Sequence, residues 1–153
     1  MTKYTIALIT FSFLTAPNLH AQENKTPIYA GAKATEKHYN VVYQLNSGEQ
    51  KKIEGTLKNI GNALNDPRLK GKVSIELVVH SGGVEVFKQT NSNLYKDKLL
   101  SLQKQGVLLV MCENTLKERN VQKKELMPFI SYTPSANGEL IILQQQGWGI
   151  IHP

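Results

Sequence analysis

The chain has 153 residues, with 18 Lys and Arg against 12 Asp and Glu, and one cysteine. The basic residues are interleaved with acids in EQKKIEGTLKN, PRLKGK, YKDK and TLKERNVQKKE; such a surface lacks the single-sign stripe that displaces phosphate counterions, which argues against nucleic-acid binding. A lone cysteine excludes a disulfide within the chain, so the fold must be held by core packing.

Residues 1–21 read as a cleaved signal peptide. Lys3 supplies a positive start, IALITFSFLTA is an apolar stretch too short to span a bilayer, and LHA before Gln22 ends in the small residue a signal peptidase prefers. Pro17 and the lack of an amphipathic period argue against a buried N-terminal element. No other apolar run approaches about 18 residues, so the mature protein is expected to be soluble, with no membrane association after cleavage, and periplasmic or secreted. Without Lys3, 17 basic residues face 12 acidic ones, a net charge of +5. Residues 22–37, QENKTPIYAGAKATEK, mix Pro, Gly, Thr and charge without a period and read as a flexible N-terminal segment. The glycosylation-type triplet at Asn24 carries little weight.

From residue 38 a single domain of alternating strands and helices is expected. HYNVVYQL (38–45), rich in Val and Tyr, reads as a strand closed by NSGE. From Glu49 to Asn65, Ile53, Leu57, Ile60 and Leu64 fall at helical spacing, and NDPRLKGK stops the helix. KVSIELVV (72–79) is the second strand and ends at HSGG. A helix from about Asn93 to Gln105 follows, with Leu94, Leu99 and Leu102 placed on one face. GVLLVM is the third strand, uninterrupted by polar residues as in a strand covered on both faces. NTLKERN and KKELMPF read as short helical pieces, ISYT as a fourth strand, NGELIILQQQG as a last helix and WGIIHP as a C-terminal strand. Strand alternating with helix in this way predicts an α/β sandwich with a mainly parallel five-stranded sheet and right-handed crossovers placing helices on both faces.

In such sheets, ligands and reactive groups gather beyond the carboxyl ends of the strands. NSGE, HSGG and CENT occupy the first three of those ends, which puts Cys112 and His80 at the same edge. If Asn114 or Thr115 caps the following helix, its first amides favour the Cys112 thiolate. Lys117 or Arg119 would add positive charge, whereas Glu113 works the other way. Cys112 can equally close the strand as a small buried hydrophobe. His80 is placed to act as a base or orienting donor toward Cys112, or else to cap the loop on a backbone carbonyl. Ser81, Gly82 and Gly83 offer a tight turn with bare amides able to receive an anion, although HSGG matches neither a P-loop nor the dinucleotide fingerprint. Histidines at 20, 38, 80 and 152 have no metal-site spacing, so neither a metal nor another cofactor is expected. No G-x-S-x-G elbow anchors a hydrolase. Trp148 could line a cleft or cover a subunit contact, and a place in the core is the leading expectation.

Taken together, IELVVHSGGVEVF, the LQKQGVLLVMCENTLKERNV stretch and MPFISYTPSANGELIILQQQGWGIIHP resemble the DsrE/DsrF-like family, specifically a small single-domain branch, over about His38 to Pro153. The resemblance implies a three-layer α/β/α domain with a five-stranded parallel sheet, assembled as a homo-oligomer, a trimer or hexamer. It implies a cysteine that accepts sulfane sulfur as a persulfide and passes it on, with a donor or acceptor protein or a small thiol as partner. Cys112 matches the family's cysteine turn, His80 its histidine loop, and Asn114 and Thr115 the residues shaping that turn. Two function classes follow: a sulfur carrier acting through Cys112, or a non-catalytic module that binds a small ligand and in which Cys112 is packed.

Overall fold

Three strands form where the chain runs apolar and β-branched and stop where polar residues or glycine break the run: β1 (Tyr39–Leu45), β2 (Val73–Val79) and β3 (Leu108–Cys112). With β4 (Ser131–Thr133) and β5 (Gly149–Ile151) they make one sheet in the order β4-β3-β2-β1-β5, with every pairing parallel. The helices are α1 (Gln50–Asn65), α2 (Ser92–Lys104), α3 (Glu113–Glu118) and α4 (Ala136–Gln145). The computed structural model describes residues 31–153, so the expected signal peptide and residues 22–30 lie outside the described residues. The predicted five-stranded α/β fold is the observed one.

From β1 to β4 each connection moves one strand in the same direction, so right-handed crossovers place α1, α2 and α3 on one face. The connection from β4 returns across the sheet to β5, and α4 lies on the opposite face. The chain therefore leaves β3 toward one face and leaves the neighbouring β4 toward the other. Such a divergence opens a crevice at the carboxyl ends of adjacent strands.

Helix α1 buries Ile53, Thr56, Leu57 and Ile60, each aliphatic side chain contributing about 1.5–3 kcal/mol on burial. It ends because Pro67 forces Asp66 out of the helical region, to φ −61 and ψ 123. Helix α2 buries Tyr95, Leu99 and Leu102. Leu94, expected on that face, is 53% exposed; five residues before Leu99 puts it about 140° around the helix, and Tyr95 takes the core position instead. Between β2 and α2 a 3-10 segment, Ser81–Phe87, buries Val84, Val86 and Phe87, so the chain after HSGG is structured, not a simple loop.

Side chains in β2 and β3 alternate between the two faces. One α4-side row across the sheet is Leu108, Glu76, Val42 and Ile150. Leu108 is 54% exposed, contrary to the expectation that β3 is covered throughout, because a single helix covers this face of the sheet. Glu76, by contrast, is only 4% exposed in the centre of the sheet. Trp148 is half-buried against the core and not enclosed by it, since it lies at the entrance to the edge strand β5.

Candidate functional site

Cys112 is the last residue of β3 and itself occupies the N-cap position of α3, in an extended conformation at φ −72 and ψ 118. Neither Asn114 nor Thr115 is the cap, as the sequence had suggested. Both lie in the first turn, where their amides have no earlier helical carbonyl to bond. Across the crevice, Ser135 caps α4 by accepting from the Gly138 amide, and the next amide, that of Ala136, donates to Cys112 Sγ at 3.3 Å. Two helix starts therefore converge on one sulfur. Burial pushes the Cys112 thiol up, but the Thr115 and Ala136 amides, the Thr115 hydroxyl and the Asn114 amide together outweigh it, leaving the thiol below its ordinary value.

The Thr115 hydroxyl is oriented for this task. Its oxygen accepts from the Ser81 amide at 2.9 Å, which leaves its own proton for the cysteine sulfur. Ser81 holds a left-handed backbone at φ 49. Its side chain lies 3.0 Å from His80 Nδ1, and His80 Nε2 lies 2.8 Å from the Gln44 amide nitrogen. Both ring nitrogens of His80 are thus engaged away from Cys112. The expected direct histidine–cysteine contact is replaced by a connection through Ser81 and Thr115. Burial and the nearby His152 hold His80 below the ordinary imidazole value, which favours the neutral ring.

Around the sulfur lies a polar cleft of about 140 Å³ lined by His80, Ser81, Cys112, Asn114, Thr115, Glu118 and the α4 start Ser135–Asn137. Its volume suits a few heavy atoms and is well below that of a typical drug-sized or cofactor site. Three sequence candidates fall outside it. Gly82 and Gly83 turn away and let the 3-10 segment pack against the end of β1: a Cβ on Gly83 would meet Leu45 O at 2.3 Å, and one on Gly82 would meet Gly48 N at 2.9 Å. They serve close packing and not an anion floor. Glu113 pairs with Lys123 at 2.5 Å and lines a separate groove of about 280 Å³ with Leu116, Lys117, Asn120, Val121 and Lys123. That groove offers no thiol or hydroxyl.

Gln44, Glu118, Ser135, Ala136 and Asn137 were not among the sequence candidates. The α4 start carried a legible signal, since TPSA ends the fourth strand at the same edge as CENT. Among the described residues no group of three or more His, Cys, Asp or Glu is arranged to hold a metal ion, and no helix is long and apolar enough to cross a membrane.

Against known proteins, the family model for the DsrE/DsrF-like family matches residues 37–153. Comparison with curated proteins returns no significant match. Among solved structures, a protein of unknown function from Methanobacterium thermoautotrophicum, MTH1491, is 28% identical with a TM-score of 0.68, the alignment covering 75% of this chain and 99% of that one. A conserved protein of unknown function from Bacteroides thetaiotaomicron, BT1422, shares the fold at 14% identity and a TM-score of 0.57, over 74% of this chain and 94% of that one. With a family match that spans the whole sheet and both walls of the cysteine cleft, the chain belongs to the DsrE/DsrF-like family.

Proposed function

We propose that this protein carries sulfane sulfur on Cys112, in keeping with the sulfur-relay-related role its family suggests. The observation that carries the reading is the convergence of donors from α3 and α4 on Sγ beside an open polar cleft. Donors aimed at a sulfur stabilise its anion, and the thiolate is the nucleophile in sulfur exchange. The thiolate attacks the outer sulfur of a persulfide R–S–SH and forms a new S–S bond. The donor's S–S bond breaks and RS⁻ leaves, so Cys112 holds –S–SH with no net change in oxidation level. Attack by an acceptor thiolate on that outer sulfur reverses the step and regenerates Cys112. A lone cysteine suits a carrier, because no second thiol in the chain can collapse the persulfide to an internal disulfide.

Two accompanying expectations belong to this proposal. Export through the residue 1–21 segment would place the carrier in the periplasm or outside the cell, where amino-terminal sequencing of protein from fractionated cells would find Gln22 first. A homo-oligomer, most simply a trimer, is supported by Ile141 and Ile142, 61% and 54% exposed on α4, and by Ile150 and Ile151, 39% and 40% exposed on the edge strand. Sedimentation of only monomer at micromolar concentration would rule it out.

The test of the carrier itself is intact mass after incubation of native protein with polysulfide. Wild type should gain sulfur and Cys112→Ser should gain none. Uptake that survives Cys112→Ser, or no uptake by folded wild type, would sink the proposal. A packed, non-catalytic cysteine is the competing reading, favoured by the residue's 4% exposure. It predicts alkylation only after denaturation.

A further inference from the structure

His80 makes no hydrogen bond to Cys112, yet both of its nitrogens are fixed. An amide nitrogen donates and does not accept, so the Gln44 Nε2 contact at 2.8 Å makes His80 Nε2 the acceptor, and the neutral ring carries its proton on Nδ1. Nδ1–H then donates to Ser81 Oγ at 3.0 Å. The serine's own proton must point elsewhere. Among the described residues no acceptor takes it, and the side chain lines the Cys112 cleft.

The backbone singles out the same residue independently. Ser81 sits at φ 49, in the left-handed region that glycine enters at lower cost, and the only polar group its side chain adds over glycine there is the hydroxyl. The Ser81 amide is held by Thr115 Oγ1 at 2.9 Å, and the Gly83 amide donates to His80 O at 2.9 Å. These bonds fix the strained turn with its hydroxyl at the cleft.

We propose that Ser81 is the hydroxyl donor to the outer sulfur of a Cys112 persulfide, and that Gln44 is the positioning residue that directs the serine proton there through His80. The inference rests on the sulfur-carrier reading. The outer sulfur stands one S–S bond, about 2 Å, beyond Sγ. The donors aimed at Sγ hold the empty carrier, and the loaded carrier needs a further donor where its terminal S–H ionises. Ser81 supplies that bond without a charged group, so the persulfide is stabilised while its outer sulfur stays open to an acceptor thiol.

The test measures the exchange Cys112–S⁻ + GS–SH ⇌ Cys112–S–SH + GS⁻ in native protein held at a fixed ratio of glutathione persulfide to glutathione, with loading read by intact mass. Ser81→Gly removes the hydroxyl, keeps the amide bond to Thr115 and relieves the backbone. It should leave Tm equal or higher and lower the exchange constant about tenfold, the usual loss for a hydrogen bond to a charged group. A purely structural serine, holding His80 through its hydroxyl, predicts a lower Tm with an unchanged constant. Gln44→Glu reverses the chain: its carboxylate accepts from Nε2–H, and Nδ1 then accepts the serine proton. Nitrogen NMR of His80 should show the proton on Nδ1 in wild type and on Nε2 in Gln44→Glu, with a comparable fall in loading. An Nε2 proton in wild type, an unchanged constant in Ser81→Gly, or a moved proton with unchanged loading in Gln44→Glu would each overturn the inference. Wild type that takes no sulfur at all would remove the carrier reading and the Ser81 role with it, an outcome distinct from normal loading that is insensitive to Ser81.

Discussion

Cys112 and Glu76 are two acids on the same face of the sheet, served by the same helix, and their ionisation is pushed in opposite directions. Cys112 ends β3 at the start of α4, where the Ala136 amide and the first turn of α3 face it. Glu76 lies mid-strand in β2, and its Oε1 has no hydrogen-bond partner among the described residues. Burial, and then the charge of Glu139, push the Glu76 carboxyl up to about 7. Glu139 sits one turn into the same helix and is itself bonded by Thr133 Oγ1 at 2.6 Å. Depth alone does not decide what a buried acid does here, since both residues are 4% exposed. The difference lies in the partners each acid meets: Cys112 receives donors from the starts of α3 and α4 that outweigh its burial, whereas Glu76 has none to offset burial and faces the Glu139 carboxylate besides.

The largest effect that sharpens this contrast is on stability. A carboxyl whose folded value is raised stabilises the fold fully below its unfolded value of 4.5, and that contribution is lost as pH rises through about 7. A rise of this size corresponds to at most about 3 kcal/mol. Urea unfolding should therefore show wild type less stable at pH 8 than at pH 5. Glu76→Gln should flatten that slope; a slope that persists in the variant would show that other groups carry it.

Next comes the donor at the other end of α4. Ala136 is the first residue of that helix, where proline is tolerated, and Ser135 already has the extended backbone that proline requires before it, at φ −149 and ψ 128. Ala136→Pro thus removes one amide hydrogen while leaving α4 able to form. The thiol pKa, followed by alkylation rate against pH, should rise by about one unit or more, as expected for a lost hydrogen bond to an anion. No rise would show that α4 does not support the thiolate.

A smaller shift in the same direction is expected from Thr115→Val, which keeps the helix amide but removes the hydroxyl. Ser81 N loses its acceptor as well, so a modest fall in Tm should accompany the change. At the bottom of the scale, Glu113→Gln should leave the alkylation profile where it was. Its carboxylate faces Lys123 outside the cleft, and a clear shift would return Glu113 to the site.

The strands were legible because the central strands of a parallel sheet demand apolar runs, and VSIELVV and VLLVMC supply them, even though Leu108 is left exposed. The position of Cys112 at a strand end was legible for the same reason. What escaped were partners brought together by register and crossover rather than by sequence proximity. Gln44 reads as an ordinary polar residue in HYNVVYQL until β1 pairs with β2 and brings it beside His80. Ala136 reads as helix filler until the return crossover sets α4 against the end of β3. Glu76 is the counter-case: a carboxylate inside an otherwise apolar run was a visible signal of a perturbed group, passed over because the run as a whole read as strand. Leu94 misled because a leucine outranks a tyrosine on hydropathy, yet Tyr95 has the spacing that meets Leu99 and Leu102.

The measurement that tests the central claim most directly is the rate of iodoacetamide labelling of Cys112 in native protein as a function of pH. Donors from two helices, acting on a sulfur at an open cleft, predict native labelling with a midpoint below the ordinary thiol value, and a midpoint that returns upward when the protein is unfolded. Labelling that appears only on unfolding, or a native midpoint at or above that of the unfolded chain, would contradict the account.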